Sequence, residues 1–258
     1  GRNVYIVHSS PDRENIFYHA VYPLSKEQEA RRILTDPASR PAVIFLRSRI
    51  LAERIASALS DTFHAACYHA GLPADERREK EEWFSASADG VLAATSAYGM
   101  GVDKKNIRTI IHWSCPDDTA SFMQESGRAG RDGNPADSYI FLSYSDNASI
   151  ARPFTSGCIR HGILSAMGET MEGERCLACS ACTGCDSQRA GEKEIIGYIR
   201  RHPLTSYINA AAAIPAKGLY KKKVNLPRWS EKEVMKAMDI LIHEGRIRRV
   251  LGRLIAKA

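Results

Sequence analysis

Apolar and polar positions along residues 41–145 predict strands and helices in alternation. Short apolar runs such as AVIFL at residues 42–46 are separated by amphipathic stretches, of which residues 49–59 place four apolar side chains at helical spacing. Further strands are predicted at residues 64–68, 91–95, 109–113 and 138–142, and further helices at residues 75–84 and 119–129. This alternation predicts an α/β fold with a parallel sheet covered on both faces and ligands at the carboxyl ends of its strands.

The flanking segments have different patterns. Residues 1–40 predict strands at residues 4–7 and 16–21 and a helix at residues 26–34, which would complete the sheet. After Asp146 the alternation stops and a segment rich in glycine and cysteine follows. Helices at residues 193–201, 206–214 and 230–244, followed by a hairpin around Gly252, have the order of a winged helix. We therefore expect three domains, at residues 1–146, 147–188 and 189–258.

Composition and charge narrow the class of protein. With 44% hydrophobic residues in 258, the chain can bury a sizeable core. It has no apolar run of 18 residues and no leader pattern in residues 1–10, so we expect no membrane span and a cytoplasmic or nuclear location. The net charge of +6 is uneven, since residues 189–258 contain 16 Lys+Arg and 6 Asp+Glu against 20 and 24 in residues 1–188. A basic module suits phosphate backbones, with an anionic membrane or solvated charge as alternatives.

The segment QESGRAGRDG at residues 124–133 carries two arginines three positions apart, Arg128 and Arg131. A helical turn would project both side chains the same way. Two guanidinium groups together fit a cluster of anionic oxygens such as the γ-phosphate of ATP. Surface salt bridges with Glu125 and Asp132 are the ordinary alternative, and spacing alone favours them.

Several motifs in order make the chain resemble the RecQ family of superfamily 2 helicases. QESGRAGRDG resembles motif VI, and FLRSR at residues 45–49 and ATSAYGMGVDKKN at residues 94–106 resemble motifs IV and V. YHAGL at residues 68–72 and DRENIFY at residues 12–18 resemble further elements of that family. The resemblance implies a RecA-like lobe followed by a helical zinc-binding module and a small winged-helix-like domain.

The resemblance also implies roles for single residues. Arg128 and Arg131 would contact the phosphates of ATP, and Gln124 would join a hydrogen-bond network between lobes. Gly101 would pack closely against backbone near the nucleotide, and Asp103, where relatives often have Asn, would lie near its sugar. Hydroxyls and helix amino termini suit phosphate contacts, although each such residue alone is an ordinary cap or turn residue. The residues expected to face single-stranded DNA are Ser48, Arg49, His69, Arg77, Thr95 and Ser96.

Cysteines recur every three residues from Cys176 to Cys185, and Cys158 lies 18 positions before the first of them. Cys-x-x-Cys pairs in a cytosolic protein favour a tetrahedral metal site, most simply zinc. A ligand set that ends at Cys185 and an iron–sulfur cluster are alternatives. The resemblance implies Cys158, Cys176, Cys179 and Cys182 as the zinc ligands. The remaining cysteines, Cys67 and Cys115, are predicted to be buried core thiols in strands.

These features together predict the C-terminal part of an ATP-dependent DNA helicase. ATP and Mg²⁺ would bind between this lobe and an N-terminal RecA-like lobe, with single-stranded DNA on the lobe and duplex on the basic domain. The sequence contains no Gly-x-x-x-x-Gly-Lys-Ser/Thr loop, so we expect negligible hydrolysis by this chain alone. A non-catalytic zinc-containing nucleic-acid-binding protein and a superfamily 2 RNA helicase are the alternatives. The tail cations that could line a duplex are Lys221, Lys222, Lys223, Arg228, Arg246, Arg248, Arg249 and Arg253, while Tyr220 and Trp229 suit a core equally well.

Overall fold

A computed structural model of the chain describes residues 12–98, 104–170, 176, 178–184, 189–217 and 229–256. The strand predicted at residues 4–7 lies outside these ranges, as do Tyr220 and four tail cations at residues 221–223 and 228. In chain order the elements are β1 (Ile16–Val21), α1 (Lys26–Leu34), a short 3-10 helix (Pro37–Ser39), β2 (Ala42–Phe45), α2 (Arg49–Leu59), β3 (Ala65–Tyr68), α3 (Ala74–Ala86), β4 (Val91–Ala94), β5 (Thr109–His112), α4 (Thr119–Ser126), β6 (Ala136–Phe141), α5 (Ala148–Thr155), α6 (Ile159–Ala166), α7 (Ser180–Thr183), α8 (Glu192–Arg201), α9 (Tyr207–Lys217), α10 (Glu231–His243), β7 (Ile247–Val250) and β8 (Arg253–Ala256).

Strands β1 to β6 form one sheet in the order β1-β6-β5-β2-β4-β3, and every neighbouring pair is parallel. The inner strands β2, β4 and β5 are buried at every position. Successive residues of a strand point to opposite faces, and Val43 and Ile44 belong to two different apolar clusters. Both faces of the sheet are therefore covered, which confirms the predicted α/β fold class.

Two of the four helices predicted for the lobe, α1 and α2, have the predicted bounds, and α3 extends the predicted residues 75–84 at both ends. α1 and α2 begin directly after Ser25 and Ser48, whose hydroxyls accept hydrogen bonds from first-turn backbone N–H groups and so cap the two helices. The helix predicted at residues 119–129 is shorter, because α4 ends at Ser126 and turns follow it. In the described part of the chain, no helix has both the length and the apolar character that a bilayer crossing needs.

The two cysteines outside the cluster only partly match the prediction. Cys67 lies in β3, as expected, but is half-buried because β3 is an edge strand of the sheet. Cys115 is buried, as predicted, but it does not lie in a strand. It lies in the loop after β5, which ends at His112. Burial raises the pKa of the Cys115 thiol to about 11, so it stays protonated at neutral pH.

The segment after β6 covers the free edge of β1. α5 and α6 pack on each other, and α7 lies within the cysteine-rich stretch and contains Cys182. The backbone N–H of Tyr18 in β1 donates to the carbonyl of Ala178 (3.0 Å), and Tyr18 forms a parallel bridge with Cys179. The cysteine-rich segment thus continues the sheet by one short bridge.

The C-terminal residues form a second unit with its own core. α8, α9 and α10 pack around Trp229, Ile195 and Leu241, and the antiparallel pair β7-β8 closes one side. Ser206, between α8 and α9, bridges to Arg253 in β8. Three helices and a terminal hairpin have the element order of a winged helix, and we call residues 189–217 and 229–256 the winged-helix unit.

An ion-pair network joins this winged-helix unit to the lobe. The guanidinium of Arg189 donates two hydrogen bonds to the carboxylate of Glu244 (2.5 and 2.7 Å) and one to the carbonyl of Tyr22 (3.2 Å). From α1, the buried carboxylate of Glu29 accepts a hydrogen bond from the backbone N–H of Ala190 (2.6 Å). Charge-assisted, largely buried bonds of this kind hold the two units in a defined orientation.

Candidate functional site

The arginine pair lies on the loop at residues 127–133 that follows α4. The backbone N–H of Gly130 donates to the carbonyl of Ile107 (2.9 Å), and the side-chain amide of Asn15 donates to the carbonyl of Gly130 (2.8 Å). Gly130 has a φ of 55°, and a Cβ there would lie 2.5 Å from Asn15 Nδ2. Glycine is therefore required, and these contacts fix the backbone from which both arginines extend.

Arg128 and Arg131 are not on one helical turn, and they differ in exposure. Arg128 is 8% exposed, and its buried Nε has no hydrogen-bond partner among the residues that the structure describes. Arg131 is exposed. Burial lowers the pKa of Arg128, and the nearby charge of Arg131 lowers it further. The two guanidinium groups are thus near enough for their charges to repel each other.

Asp132 and Glu125, the alternative salt-bridge partners of the arginine pair, contact other side chains. Asp132 accepts a hydrogen bond from Arg108, which holds the pKa of that carboxyl well below its usual range. Glu125 lies 3.0 Å from Nδ1 of His112. Both acids therefore have a partner other than the arginine pair. Gln124 is exposed on α4, one turn before the loop.

The arginine loop lies at the amino ends of the strands. Its contacts are to Ile107 just before β5, to Asn15 just before β1 and to Asn134 just before β6. Four of the six residues expected to meet single-stranded DNA, Ser48, Arg49, Thr95 and Ser96, follow the carboxyl ends of β2 and β4. The sequence analysis expected ligands at the carboxyl ends of the strands. Of the two predicted sites, only the one for single-stranded DNA has residues there, since the arginine loop lies at the other end of the sheet.

A cavity of about 320 Å³ opens at the carboxyl ends of β2, β4 and β5. Thr95 and Ser96, directly after β4, line it on one side, and Asp118 and Ser121 line it at the start of α4. Ser48 and Arg49 are exposed at the start of α2, where the Ser48 hydroxyl caps the helix. Four of the six residues predicted to face a strand of DNA therefore lie at one end of the sheet.

His69 and Arg77 are placed differently from the other four. His69 is buried, and its Nε2 lies 3.0 Å from the carboxylate of Glu53 in α2. Its Nδ1 is buried with no partner in the described ranges, as is Nε of the half-buried Arg77. His69 is thus positioned to hold α2 and the loop after β3 together, not to lie on an open surface. Gly101 and Asp103, predicted to lie near the nucleotide, are outside the described residues.

The sulfur atoms of Cys158, Cys176, Cys179 and Cys182 all lie within 4.8 Å of one another. Sγ of Cys179 lies 3.9 Å from that of Cys158 and 3.8 Å from that of Cys176. A tetrahedral zinc with Zn–S bonds of about 2.3 Å requires sulfur separations of about 3.8 Å. The four thiols therefore fit one metal ion, and Cys185 lies outside the described residues.

Backbone N–H groups support the thiols. The N–H of His161 donates to Sγ of Cys158 and that of Ala178 to Sγ of Cys176, each at 3.4 Å. Burial raises the pKa of Cys176 to about 11. Burial also acts to raise the pKa of Cys179, but backbone N–H groups outweigh it and bring that pKa to about 7. Oriented donors that stabilise a thiolate are the surroundings a metal-binding cysteine needs.

Two residues near the arginine loop were not expected from the sequence. Arg13 donates hydrogen bonds to the carbonyls of Gly127 (3.3 Å) and Gly130 (3.1 Å). Tyr98 is 2% exposed beside Arg128, and its hydroxyl has no partner in the described part of the chain. The motif at residues 12–18 marks the region of Arg13, but no spacing rule links it to a loop more than 110 positions away.

Comparisons with known proteins identify helicases that are similar to this chain. A family model described as "Helicase conserved C-terminal domain" matches residues 25–133. The ATP-dependent DNA helicase hus2/rqh1 of Schizosaccharomyces pombe is 33% identical over 195 residues, covering 74% of this chain and 14% of that protein. The ATP-dependent DNA helicase RecQ of Bacillus subtilis is 30% identical over 202 residues, covering 69% of this chain and 34% of that protein.

A solved structure supports the fold alone. The crystal structure of the yeast DEAD-box splicing factor Prp28 aligns with a TM-score of 0.52 and 18% identity, covering 62% of this chain and 35% of that one. The chain spans 14% and 34% of the two helicases it matches. With the parallel sheet, the arginine loop and several RecQ relatives in agreement, the chain belongs to the RecQ family of superfamily 2 helicases and contains the C-terminal part of its helicase region.

Proposed function

We propose that this chain is the C-terminal portion of an ATP-dependent DNA helicase that unwinds duplex DNA. In this proposal residues 1–146 are the second RecA-like lobe, residues 147–188 a zinc-binding module and residues 189–258 a winged-helix domain that contacts duplex. ATP and Mg²⁺ would bind between this lobe and an N-terminal RecA-like lobe. Membership of the RecQ family supports the proposal.

The observation that carries the proposal is the buried guanidinium of Arg128 on a fixed loop that also carries Arg131. Nε of Arg128 is unpaired among the described residues. A buried guanidinium with an unpaired donor is costly in the free protein, and phosphate oxygens beside it would offset that cost. When the lobes close, both arginines would stabilise charge on the γ-phosphate, and opening after hydrolysis would move this lobe along the strand.

Three further residues would complete the nucleotide site. Gln124, exposed one turn before the arginine loop, would hydrogen-bond across the gap between lobes. Gly101 would allow close backbone approach, and Asp103 would lie near the sugar. These roles follow from the motif resemblance and remain proposals.

Single-stranded DNA would cross the carboxyl ends of β2 and β4. The hydroxyls of Thr95 and Ser96 and the first turn of α2, with Ser48 and Arg49, offer donors for phosphate oxygens. His69 would act through α2 by its contact with Glu53. Arg77, whose Nε is unpaired within the described ranges, would add a charged contact.

Zinc would be held by Cys158, Cys176, Cys179 and Cys182, whose spacing fits a tetrahedral ion. A bound zinc supplies structural crosslinking and no chemistry of hydrolysis. Because Cys179 also bridges to β1, these ligands would tie the cysteine-rich segment to the sheet.

The proposal is tested with a protein that joins this chain to an N-terminal RecA-like lobe. Arg131→Ala should lower the DNA-stimulated kcat for ATP by about 10³-fold or more, because the transition-state charge loses its partner. ATP affinity should change much less, since the first lobe contributes most of the binding. Arg152→Ala, which removes an exposed arginine on α5, is the matched control.

Three outcomes would contradict the proposal. The first is DNA-stimulated hydrolysis by Arg131→Ala equal to that of Arg152→Ala, which would leave a non-catalytic binding protein. The second is ATP turnover at helicase rates by the 258-residue chain alone. The third is unwinding of RNA duplexes but not DNA duplexes, which would make the enzyme an RNA helicase.

A further inference from the structure

A second, larger cavity of about 880 Å³ lies between the lobe and the winged-helix unit. None of the predicted site residues lines it. Its walls include Tyr22 after β1, Trp113 after β5 and Leu142 after β6, so it lies at the carboxyl ends of three parallel strands. That end of a parallel sheet is where ligands of α/β proteins commonly bind.

Three cations line this junction cavity, which are Lys26 in α1, Arg54 in α2 and Lys236 in α10. Nζ of Lys26 donates to the carbonyl of Trp113 (2.7 Å), which holds the ammonium group in the wall. Arg54 and Lys236 are exposed at the rim. The cavity therefore presents positive charge from three separate elements.

The two carboxylates of the same cavity are already engaged. Glu27 pairs with Arg31 (3.2 Å) within α1. Glu233 caps α10 through Ser230 and accepts a hydrogen bond from the Ser25 hydroxyl (3.0 Å). Their charge is partly offset by these partners, which leaves the cavity suited to an anion.

Unsatisfied polar groups point to a ligand. Gln28 lines the cavity, is 2% exposed, and its Oε1 has no hydrogen-bond partner in the described part of the chain. A buried acceptor without a donor costs about 1–3 kcal/mol unless something binds it. Gln28 lies in the first turn of α1, where the Ser25 hydroxyl accepts a hydrogen bond from the N–H of Gln28 and the N–H groups of Lys26 and Glu27 lack partners within the helix. The same wall thus offers an acceptor and an anion-binding helix end.

Aromatic rings provide a platform beside these groups. Tyr22 and Tyr144 stack with ring centroids 4.9 Å apart, and Tyr144 is 52% exposed. The Tyr144 ring also contacts the ring of His243 (centroids 4.8 Å apart), so the surface that it offers a nucleobase is its remaining exposed part. Contact between a base and an aromatic ring is worth about 1–3 kcal/mol. Contacts between the two units hold the platform, because the Tyr144 hydroxyl donates to Glu244 (2.6 Å).

We propose that the junction cavity binds one nucleotide. Its phosphate would lie among Lys26, Arg54 and Lys236 at the amino end of α1. Its base would stack on Tyr144 and donate a hydrogen bond to Oε1 of Gln28. The nucleotide can belong to a strand of DNA, in which case the inference rests on the proposed helicase function, or it can be a free nucleotide.

The test compares two double variants of the 258-residue chain. Arg54→Ala with Lys236→Ala removes the two rim cations, and Arg152→Ala with Lys232→Ala removes one arginine and one lysine that are exposed but do not line the cavity. Binding of dTMP and of an oligothymidylate of 12 residues is measured by calorimetry at several salt concentrations. Unfolding in urea checks that both variants are folded.

The rim variant should weaken dTMP binding by about tenfold or more relative to the control variant. For the oligothymidylate, the slope of log affinity against log salt should fall by about 0.7, the contribution of the one single-strand phosphate that the rim cations contact. Loss confined to the oligothymidylate supports a DNA strand as occupant, and loss confined to dTMP supports a free nucleotide. Equal binding of both probes by the rim and control variants overturns the proposal.

The same experiment gives a different result if the proposed helicase function is wrong and the cavity still binds a nucleotide. In that case the unmodified chain does not bind the oligothymidylate, yet the rim variant still loses dTMP binding. A photocrosslink from a 5-iodouracil oligonucleotide to Tyr144 would support the strand, and crosslinks confined to residues outside the cavity would exclude it.

Discussion

Replacing Arg189 by alanine should loosen the junction between the lobe and the winged-helix unit. Its guanidinium donates twice to Glu244, once to Glu192 (2.9 Å) and once to the carbonyl of Tyr22. The side chains of Arg189 and Glu244 are 11% and 16% exposed, so little water replaces the lost bonds. Removing one partner of a buried ion pair costs about 3–5 kcal/mol. Because Glu244 keeps the Tyr144 hydroxyl, we expect the lower end, about 3 kcal/mol of the free energy of unfolding.

A double-mutant cycle measures this coupling. Arg189→Ala, Glu244→Ala and the double variant are unfolded in urea and followed by tryptophan fluorescence, to which Trp229 in the winged-helix core contributes. The coupling free energy should be about 2 kcal/mol or more, and Arg201→Ala, which removes an exposed arginine of α8, should change stability by less than about 0.5 kcal/mol. Additive effects of the two single variants, with coupling below about 0.5 kcal/mol, would refute the account of the junction.

The ion pair of Arg189 and Glu244 also predicts that the free energy of unfolding depends on pH. Burial acts to raise the pKa of Glu244, but hydrogen bonds from Arg189 and Tyr144 lower it below its ordinary value of 4.5. The folded state therefore binds its proton less readily than the unfolded chain does. The stabilisation is complete above pH 4.5 and is lost as the pH falls from there through the folded pKa. In Arg189→Ala the slope of stability against pH in this acid range should decrease.

Two further predictions concern the metal site and the helices around it. Cys158→Ser should reduce the zinc bound per chain, measured by atomic emission after dialysis, whereas Cys67→Ser in β3 should leave it unchanged; equal metal content in both variants would exclude Cys158 as a ligand. Gly162→Ala in α6 should destabilise by about 1–3 kcal/mol because its Cβ would lie 2.2 Å from the carbonyl oxygen of Pro153. Gly197→Ala in α8 meets no atom within 4 Å and should stabilise by up to about 1 kcal/mol, so thermal unfolding midpoints that shift the same way would contradict the packing described.

Local signals were sufficient for most elements of the lobe. α1 and α2 begin where a serine precedes an amphipathic stretch, and β1 spans the predicted residues 16–21. The four clustered thiols also follow from spacing and resemblance. For the helices and β1, neighbouring residues in the chain determine the structure, so a pattern within a few turns is enough. The set of four thiols needed the family resemblance, because Cys158 is 18 positions away from Cys176.

Long-range contacts explain what the sequence did not reveal. α4 ends before Arg128 because Gly130 bonds to Ile107 and Asn15, which no local pattern indicates. His69 was expected to face DNA but is buried against Glu53 from another helix. The junction cavity is lined by residues of both the lobe and the winged-helix unit, so no local pattern predicts it.

The bridge between Tyr18 and Cys179 has a consequence for solubility. β1 is an edge strand of the sheet, and an uncovered edge is a template on which other chains can aggregate. In the described residues the backbone N–H of Tyr18 is taken by Ala178, between two of the clustered cysteines. Chelators should therefore do more than release a metal ion: by freeing this segment they would uncover β1, and light scattering should rise while the rest of the lobe is still folded.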